Sequence, residues 1–358
     1  MFDAPKDPIN EFIQSFVGWF AAVRETFPVI YANGELIENI YYYERPDVSE
    51  YSQGFFNRAW TFYLDCARYM TPEQGAITIE VFWEGKLIER KLYRVGTKIL
   101  PTGERDLVAF LHVPKSGGTS LRRALEDQAG NFTLLASYED YGFLTIADLK
   151  KLSSRALSNF DGIYGHFRFG IHQGYERKVR YISFIRNPYS HVLSYYFYAK
   201  SHLKDEKVLA CRDIYEAMST RTNVFFDNIV TRMFSGIDDD QPVDDNVFKA
   251  AINNIDNYFE FIGVTENSHA SLKRAGAYLG LDLQAHQENV NTYPREFDLM
   301  DMAKFRKFAY DYLKYDLAIY ECVMNKYWGA GNCSHIVARP VETGGDQALS
   351  VAEGAGSA

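Results

Sequence analysis

The chain of 358 residues contains no GxxxxGK[ST] loop, no CxxC pair, no Cys/His cluster and no apolar run approaching the roughly 20 residues that a membrane-spanning helix needs. The missing Walker loop weighs against an ATPase or GTPase. Cys66, Cys211, Cys322 and Cys333 are scattered, so neither a metal centre nor a disulfide framework is indicated, and reduced thiols are expected. Basic charge is scarce as well: 38 Lys and Arg against 47 Asp and Glu leave a net charge of -9. That balance excludes a protein that coats nucleic acid through many phosphate contacts, although a local basic groove is compatible with it. A basic leader is also lacking. The most apolar early stretch, Phe12 to Val23, contains Gln14 and Ser15 and follows Asp3, Asp7 and Glu11, so it reads as an amphipathic helix. The expectation is a soluble, cytoplasmic protein with no integral membrane segment and no nucleic-acid partner.

The sequence has ample material for a core, with 47% hydrophobic and 16% aromatic residues. Residues 1–104 read as a mixed helix and hairpin region of unassigned role: helices near Ile9 to Glu25 and Phe55 to Tyr69, then a hairpin over Ala76 to Val95 turning at Glu84-Gly85-Lys86. Residues 335–358 are small, polar and Gly-rich, the composition of a disordered tail. Between them, residues 105–330 alternate strand and helix. Leu107 to Val113 is a continuous apolar run, as a strand covered on both faces is, and Val179 to Ile185 and Phe259 to Val264 read as further such strands. Helices are expected over Ser120 to Gln128, Tyr189 to Lys200, Asp244 to Asn257 and Ser268 to Leu279. The fold class is therefore α/β, a P-loop-NTPase-like parallel sheet flanked by helices with an additional mixed N-terminal region, and ligands of such sheets lie at the carboxyl ends of the strands.

The stretch FLHVPKSGGTSLRRAL, Phe110 to Leu125, joins a buried strand to a helix N-terminus, where backbone N–H groups and the helix dipole favour an anion. Gly117 and Gly118 allow close backbone approach, Lys115 adds a point charge, and Ser116, Thr119 and Ser120 add hydroxyl donors. Phosphate or sulfate is the expected guest. A second stretch, FIRNPYSHVLSYYFYAK, sets Arg186 just past another buried strand, Pro188 in the first turn of a helix and Ser194 further along it. Arg186 and Ser194 can reach one phosphate across the top of the sheet.

HVPKSGGTSL followed by IRNPYSHVLSYY resembles the two-part cofactor signature of sulfotransferases that use 3'-phosphoadenosine 5'-phosphosulfate (PAPS), in the carbohydrate branch that includes heparan sulfate 2-O-sulfotransferases. The resemblance implies that Lys115, Ser116, Gly117, Gly118, Thr119 and Ser120 hold the 5'-phosphosulfate and that Arg186 and Ser194 hold the 3'-phosphate, with no metal. It extends to Asn228 to Gly236, similar to a TRxxSG-like segment, to Phe261 to Glu266, and to the Asn-containing loop Glu288 to Asn291. Its coverage is Asp106 to Tyr327, with the first 100 or so residues unmatched. His191 stands where an arginine is common, and the membrane anchor and paired cysteines of Golgi-lumen relatives are absent.

Sulfuryl transfer needs positioning, charge stabilisation and a base for a neutral alcohol. Lys115 suits the leaving phosphate. His166, in YGHFRFG, suits the base because imidazole titrates near neutrality, and the resemblance implies the same, although a histidine beside Gly165 also serves to shape a turn. His112 reads as structural. Arg168, Arg177, Lys178 and Arg180 offer charge to an acidic acceptor such as a uronic-acid glycan, or form a solvated face; Arg168 and His172 are the acceptor-binding candidates. The expected activity is transfer from PAPS to a hydroxyl, on a carbohydrate or another hydroxylated acceptor. The alternatives are a nucleotide-dependent kinase or NTPase of related fold and a non-catalytic nucleotide-binding protein.

Overall fold

The computed structural model describes residues 2–7, 9, 13–22, 26–43, 56–69, 75–95, 106–128, 131–137, 145–284 and 300–329. The tail at 335–358 and the loop Glu288 to Asn291 lie outside them. The N-terminal region is built from strands: β1 (Phe2–Ala4), β2 (Ile13–Ala22), β3 (Val29–Ala32), β4 (Glu35–Leu36), β5 (Tyr41–Tyr43), β6 (Phe56–Asp65), β7 (Ala76–Trp83) and β8 (Lys86–Arg94). They form two four-stranded antiparallel sheets, ordered β1-β2-β6-β5 and β4-β3-β7-β8. Phe16, Trp60 and Phe62 from the first sheet and Ile77, Ile79, Val81 and Tyr93 from the second share one core.

This corrects the two helices expected over Ile9 to Glu25 and Phe55 to Tyr69. Phe16, Gly18 and Phe20 are buried while Ser15, Val17 and Trp19 are less so, a period of two that suits a pleated strand. The same residues also fit a helical period, and the long antiparallel pairing of Gln14 with Leu64 through Ala21 with Asn57 decides between them. The expected hairpin is present. Its two-residue turn, Glu84-Gly85, has φ of 48° and 76°, the left-handed pair that matches the twist of the flanking strands.

The second unit is a five-stranded parallel sheet ordered β10-β11-β9-β12-β13, made of β9 (Leu107–His112), β10 (Leu134–Ser137), β11 (Gly162–Gly165), β12 (Val179–Ile185) and β13 (Phe259–Val264). The helices that flank it are α1 (Gly118–Glu126), α2 (Ile146–Lys150), α3 (Ser154–Leu157), α4 (Pro188–Tyr198), α5 (Glu206–Leu209), α6 (Ile214–Ser219), α7 (Ile229–Ser235), α8 (Asp245–Tyr258), α9 (Ser268–Leu279) and α10 (Met302–Val323). Leu111 lies opposite Gly165 in β11 and Ser183 in β12, and the Ser183 hydroxyl donates to the Leu111 carbonyl at 2.7 Å. The carboxyl ends of the three central strands are thereby level. The chain leaves β9 toward β10 at one edge and leaves β12 toward β13 at the other, so the crevice between β9 and β12 is the topological switch point.

The two units meet through polar contacts: Glu38 pairs with Lys151 at 2.9 Å, Asn39 donates to Asp148 at 2.8 Å, and Asp65 accepts from the Ser153 amide at 2.8 Å. Cys66 and Cys211 are free thiols, but Cys322, buried in α10, is disulfide-bonded, which corrects the expectation of reduced thiols throughout. A disulfide needs two Cβ atoms roughly 4 Å apart, a proximity that folding sets and sequence spacing does not report.

The TRxxSG-like segment is a structural clasp. Asp316 of α10, fully buried, accepts from the Val230 amide at 3.1 Å, the Thr231 amide at 2.8 Å and the Thr231 hydroxyl at 2.7 Å, so it caps the first turn of α7 from another helix. Asn228, left-handed at φ 52°, returns the favour by accepting from the amides of Tyr315 and Asp316. Buried Arg232 is held by Asp227 at 2.7 Å and by the Gln241 carbonyl at 2.6 Å. Replacing Asp316 by Ala orphans buried donors at the start of α7, and a loss on the order of 3 kcal/mol in urea unfolding is expected. A loss below about 1 kcal/mol, typical of a single net hydrogen bond, would mean that the clasp is dispensable.

Candidate active site

The loop after β9 turns sharply. Lys115 has φ 65° and Gly117 φ 74°, two left-handed residues flanking Ser116, so the backbone folds over the top of the strand. Gly117 caps α1 with no side-chain hydrogen bond, which leaves the first amides of that helix without a side-chain acceptor. Ser116 is fully buried and its Oγ has no partner among the described residues. Thr119 and Ser120 lie in the first turn of α1. An anion seated on this loop would give the Ser116 hydroxyl an acceptor and lie at the positive end of α1, so the residues present fit a phosphosulfate.

Arg186 follows β12 directly across the crevice, half-buried, and Asn187 and Pro188 start α4. Ser194 lies in the second turn of that helix, 4% exposed. Two residues past β13 brace this corner: the Thr265 hydroxyl donates to the Ile185 carbonyl at 3.0 Å, and Glu266 accepts from the Asn187 amide at 2.7 Å. Arg186 is close enough to Lys115 to matter electrostatically, since burial first and Arg186 second hold the Lys115 ammonium below its ordinary value. Lys115 Nζ lies 4.0 Å over the ring of Tyr198 at the end of α4, a cation–π contact that joins the loop to the second stretch. Tyr195, Tyr196 and Phe197 are buried, with Tyr195 stacked on Phe225 at 3.9 Å, so these rings belong to the core around α4.

His191 has a definite place. It is 2% exposed, and its Nε2–H donates to the carbonyl of Pro114 at 2.6 Å, tying α4 to the loop that bears Lys115. Burial pushes its pKa down to about 4, with Arg186 and Lys115 adding to the shift against the pull of the Pro114 carbonyl. The residue is a neutral strut beside two cations.

His166 is exposed at the end of β11, and its Nδ1–H donates to the carbonyl of His112 at 3.0 Å. The lone pair of the neutral ring therefore sits on Nε2. Its ring stacks on that of His112 with centroids 4.2 Å apart and planes at 26°. His112, read as structural from the sequence, has nothing in its local context that distinguishes it from any other strand-end histidine, and only the fold shows it packed against His166.

The acceptor candidates have these partners in the fold. Arg168 bonds to Asp239 and to the carbonyl of Ile237, fastening the loop after α7. His172 bonds through Nδ1 to the hydroxyl of Tyr181 at 2.7 Å, in the amino-terminal half of β12, among Phe169 and Tyr258. Arg177 donates to the carbonyls of Leu157 and Phe160, while Lys178 and Arg180 pair with Asp106 and Arg180 also with Glu260. The basic run is thus a set of ties at the amino end of the sheet, away from the carboxyl-end crevice. Among the described residues no cluster of acidic, Cys and His side chains could hold a metal ion. No described helix is long and apolar enough to cross a membrane.

No family model matches the chain, and no curated protein matches it. Among solved structures, a mouse sulfotransferase, SULT7A1, complexed with PAP is similar over 57% of this chain and 64% of that one, with 16% identity and a TM-score of 0.31. The chain thus spans less than two thirds of that structure's length, and the chemistry of the site rests on its own residues.

An unfolded chain protonates His191 near 6.5, whereas the folded protein resists until about 4, so the unfolded state binds more protons between those values. Stability is complete above that window and falls on acidification through it, by up to about 3 kcal/mol. His191→Gln keeps a donor for Pro114 and removes the titration, so its urea midpoint should vary less with pH over that range. Identical pH dependence in the two proteins would assign the acid sensitivity to another group.

Proposed function

We propose that this protein transfers a sulfuryl group from PAPS to an acceptor hydroxyl, with a carbohydrate as the acceptor. The observation that carries the reading is the polar loop at the switch point: an α1 N-terminus with no side-chain cap, a buried Ser116 hydroxyl without a partner among the described residues, and Lys115 and Arg186 in the loops that follow adjacent strands, close enough to feel each other's charge. When bound, the donor supplies a sulfuryl group whose bond to the phosphate oxygen breaks, with the electron pair leaving on that oxygen.

The chain's own groups have separable tasks. The Lys115 ammonium neutralises charge on the departing phosphate, and the α1 amides with Ser116, Thr119 and Ser120 hold the same end. Arg186 and Ser194 hold the 3'-phosphate, the group that sets this nucleotide apart from AMP and ATP. His166 Nε2 accepts the acceptor's hydroxyl proton, because the bond from Nδ1 to the His112 carbonyl leaves the lone pair on Nε2. Lys115 leaves its contact with Tyr198 to do this, and its ammonium, already partly desolvated, gives up little hydration on meeting an anion.

Calorimetric titration with 3',5'-adenosine bisphosphate, 5'-AMP and ATP, with and without magnesium, tests the reading. Micromolar or tighter binding that needs the 3'-phosphate and ignores magnesium is expected. A preference for Mg-ATP would transfer the site to the nucleotide-dependent kinases, and no binding at all would leave a protein without this chemistry. Lys115→Ala should lower transfer by about a hundredfold or more with the fold intact. In His166→Ala, transfer should fall by about a hundredfold or more while bisphosphate affinity is retained, and normal turnover would return His166 to a turn-shaping role.

A further inference from the structure

The ring of His112 is clamped from three sides. A methyl group built at Gly118 would come within 1.9 Å of His112 Nε2 and 2.4 Å of the Tyr164 hydroxyl, so the first turn of α1 lies directly against this ring. Tyr164 packs at 5.2 Å between centroids, and His166 stacks at 4.2 Å. The Nδ1 of His112 is sealed from solvent and has no hydrogen-bond partner among the described residues. A strand-end histidine kept for hydrogen bonding would satisfy that nitrogen. This one contributes a flat ring face and, from its backbone, the carbonyl that takes the His166 Nδ1 proton.

We propose that His112 is the positioning residue of His166: its carbonyl fixes the tautomer, and its neutral ring fixes the plane and stabilises the imidazolium that forms when Nε2 takes a proton. The role as helper to a general base rests on the sulfuryl-transfer reading; the coupling of the two rings does not. The groups facing His112 are Lys115 in the loop, Arg122 on α1, and Tyr164 and His166 on and after β11. Burial, then His166, Arg122 and Lys115, hold the His112 pKa well below the ordinary imidazole value, so it remains neutral while its neighbour is charged. A neutral aromatic face beneath a cation attracts it, and a second imidazolium there would repel it. Only the exposed member of the pair can therefore carry the proton.

The test is the titration of His166 followed by its ring-proton NMR signal in the nucleotide-free protein, where no turnover is needed. His112→Leu keeps the volume and the carbonyl but removes the ring face, and the His166 midpoint should move down by about half a pH unit. His112→Phe retains a flat face and should restore the midpoint. Should the Leu variant not fold, His112→Asn removes the same face and carries the same expectation. In the enzyme assay, the acid limb of the pH–rate profile should shift in the same direction, with the affinity for 3',5'-adenosine bisphosphate unchanged. A midpoint unmoved in the ring-less variants would overturn the proposal. So would a loss of nucleotide affinity that parallels the loss of activity with the His166 titration intact, because His112 would then be a part of the cradle. If the wild-type protein binds no 3'-phosphorylated nucleotide, the sulfuryl-transfer reading fails while the NMR comparison still decides whether the two rings are coupled.

Discussion

The in-register pairing of β9 with β12 is the constraint on which the rest of the site depends. His112 lies opposite Phe184, so the two strands run out at the same height and release their loops side by side. One loop carries Lys115 and the Gly pair, the other Arg186 and the start of α4. A shift of one residue would turn every side chain of one strand to the other face of the sheet and separate the two cations. The Ser183 hydroxyl on the Leu111 carbonyl and the His191 strut on the Pro114 carbonyl both resist such a slip, one within the sheet and one above it.

Lys115 and Arg186 lie close enough in a partly buried crevice for each to disfavour the other's charge, and the surrounding residues limit that cost. His191 and His112, each packed beside Lys115, remain uncharged, so the positive field is confined to groups that can reach a ligand. Lys115 rests over the face of Tyr198, where the ring quadrupole offsets part of its lost hydration. Glu266, just past β13, accepts from the Asn187 amide and the Tyr320 hydroxyl.

The parallel sheet and the position of the two loops at its carboxyl end were legible because the signals are local. A strand buried on both faces is a mostly apolar run, and Val179–Ile185 and Phe259–Val264 show it, interrupted only at Arg180, Ser183 and Glu260. The N-terminal strands were misread because Phe16 and Phe20 satisfy periods of two and of four alike, and only the partner strand across the sheet breaks the tie. The contacts of Arg168 with Asp239 and of His172 with Tyr181 were not legible in the sequence, because one joins residues 71 apart and the other depends on how the segment after β11 folds back on β12.

What the sequence determined by itself is the make-up of the two loops: the residue types, their order around Gly117 and Gly118, and the placing of Lys115 and Arg186 just past buried strands. These follow from steric limits on backbone turns and from where helix amides point. What the tertiary structure alone decided is which histidines matter and how. His191 became a strut and His112 the support of His166 through packing across β9, β11 and α4, because burial and ring-to-ring distance are set by the meeting of elements far apart in the chain.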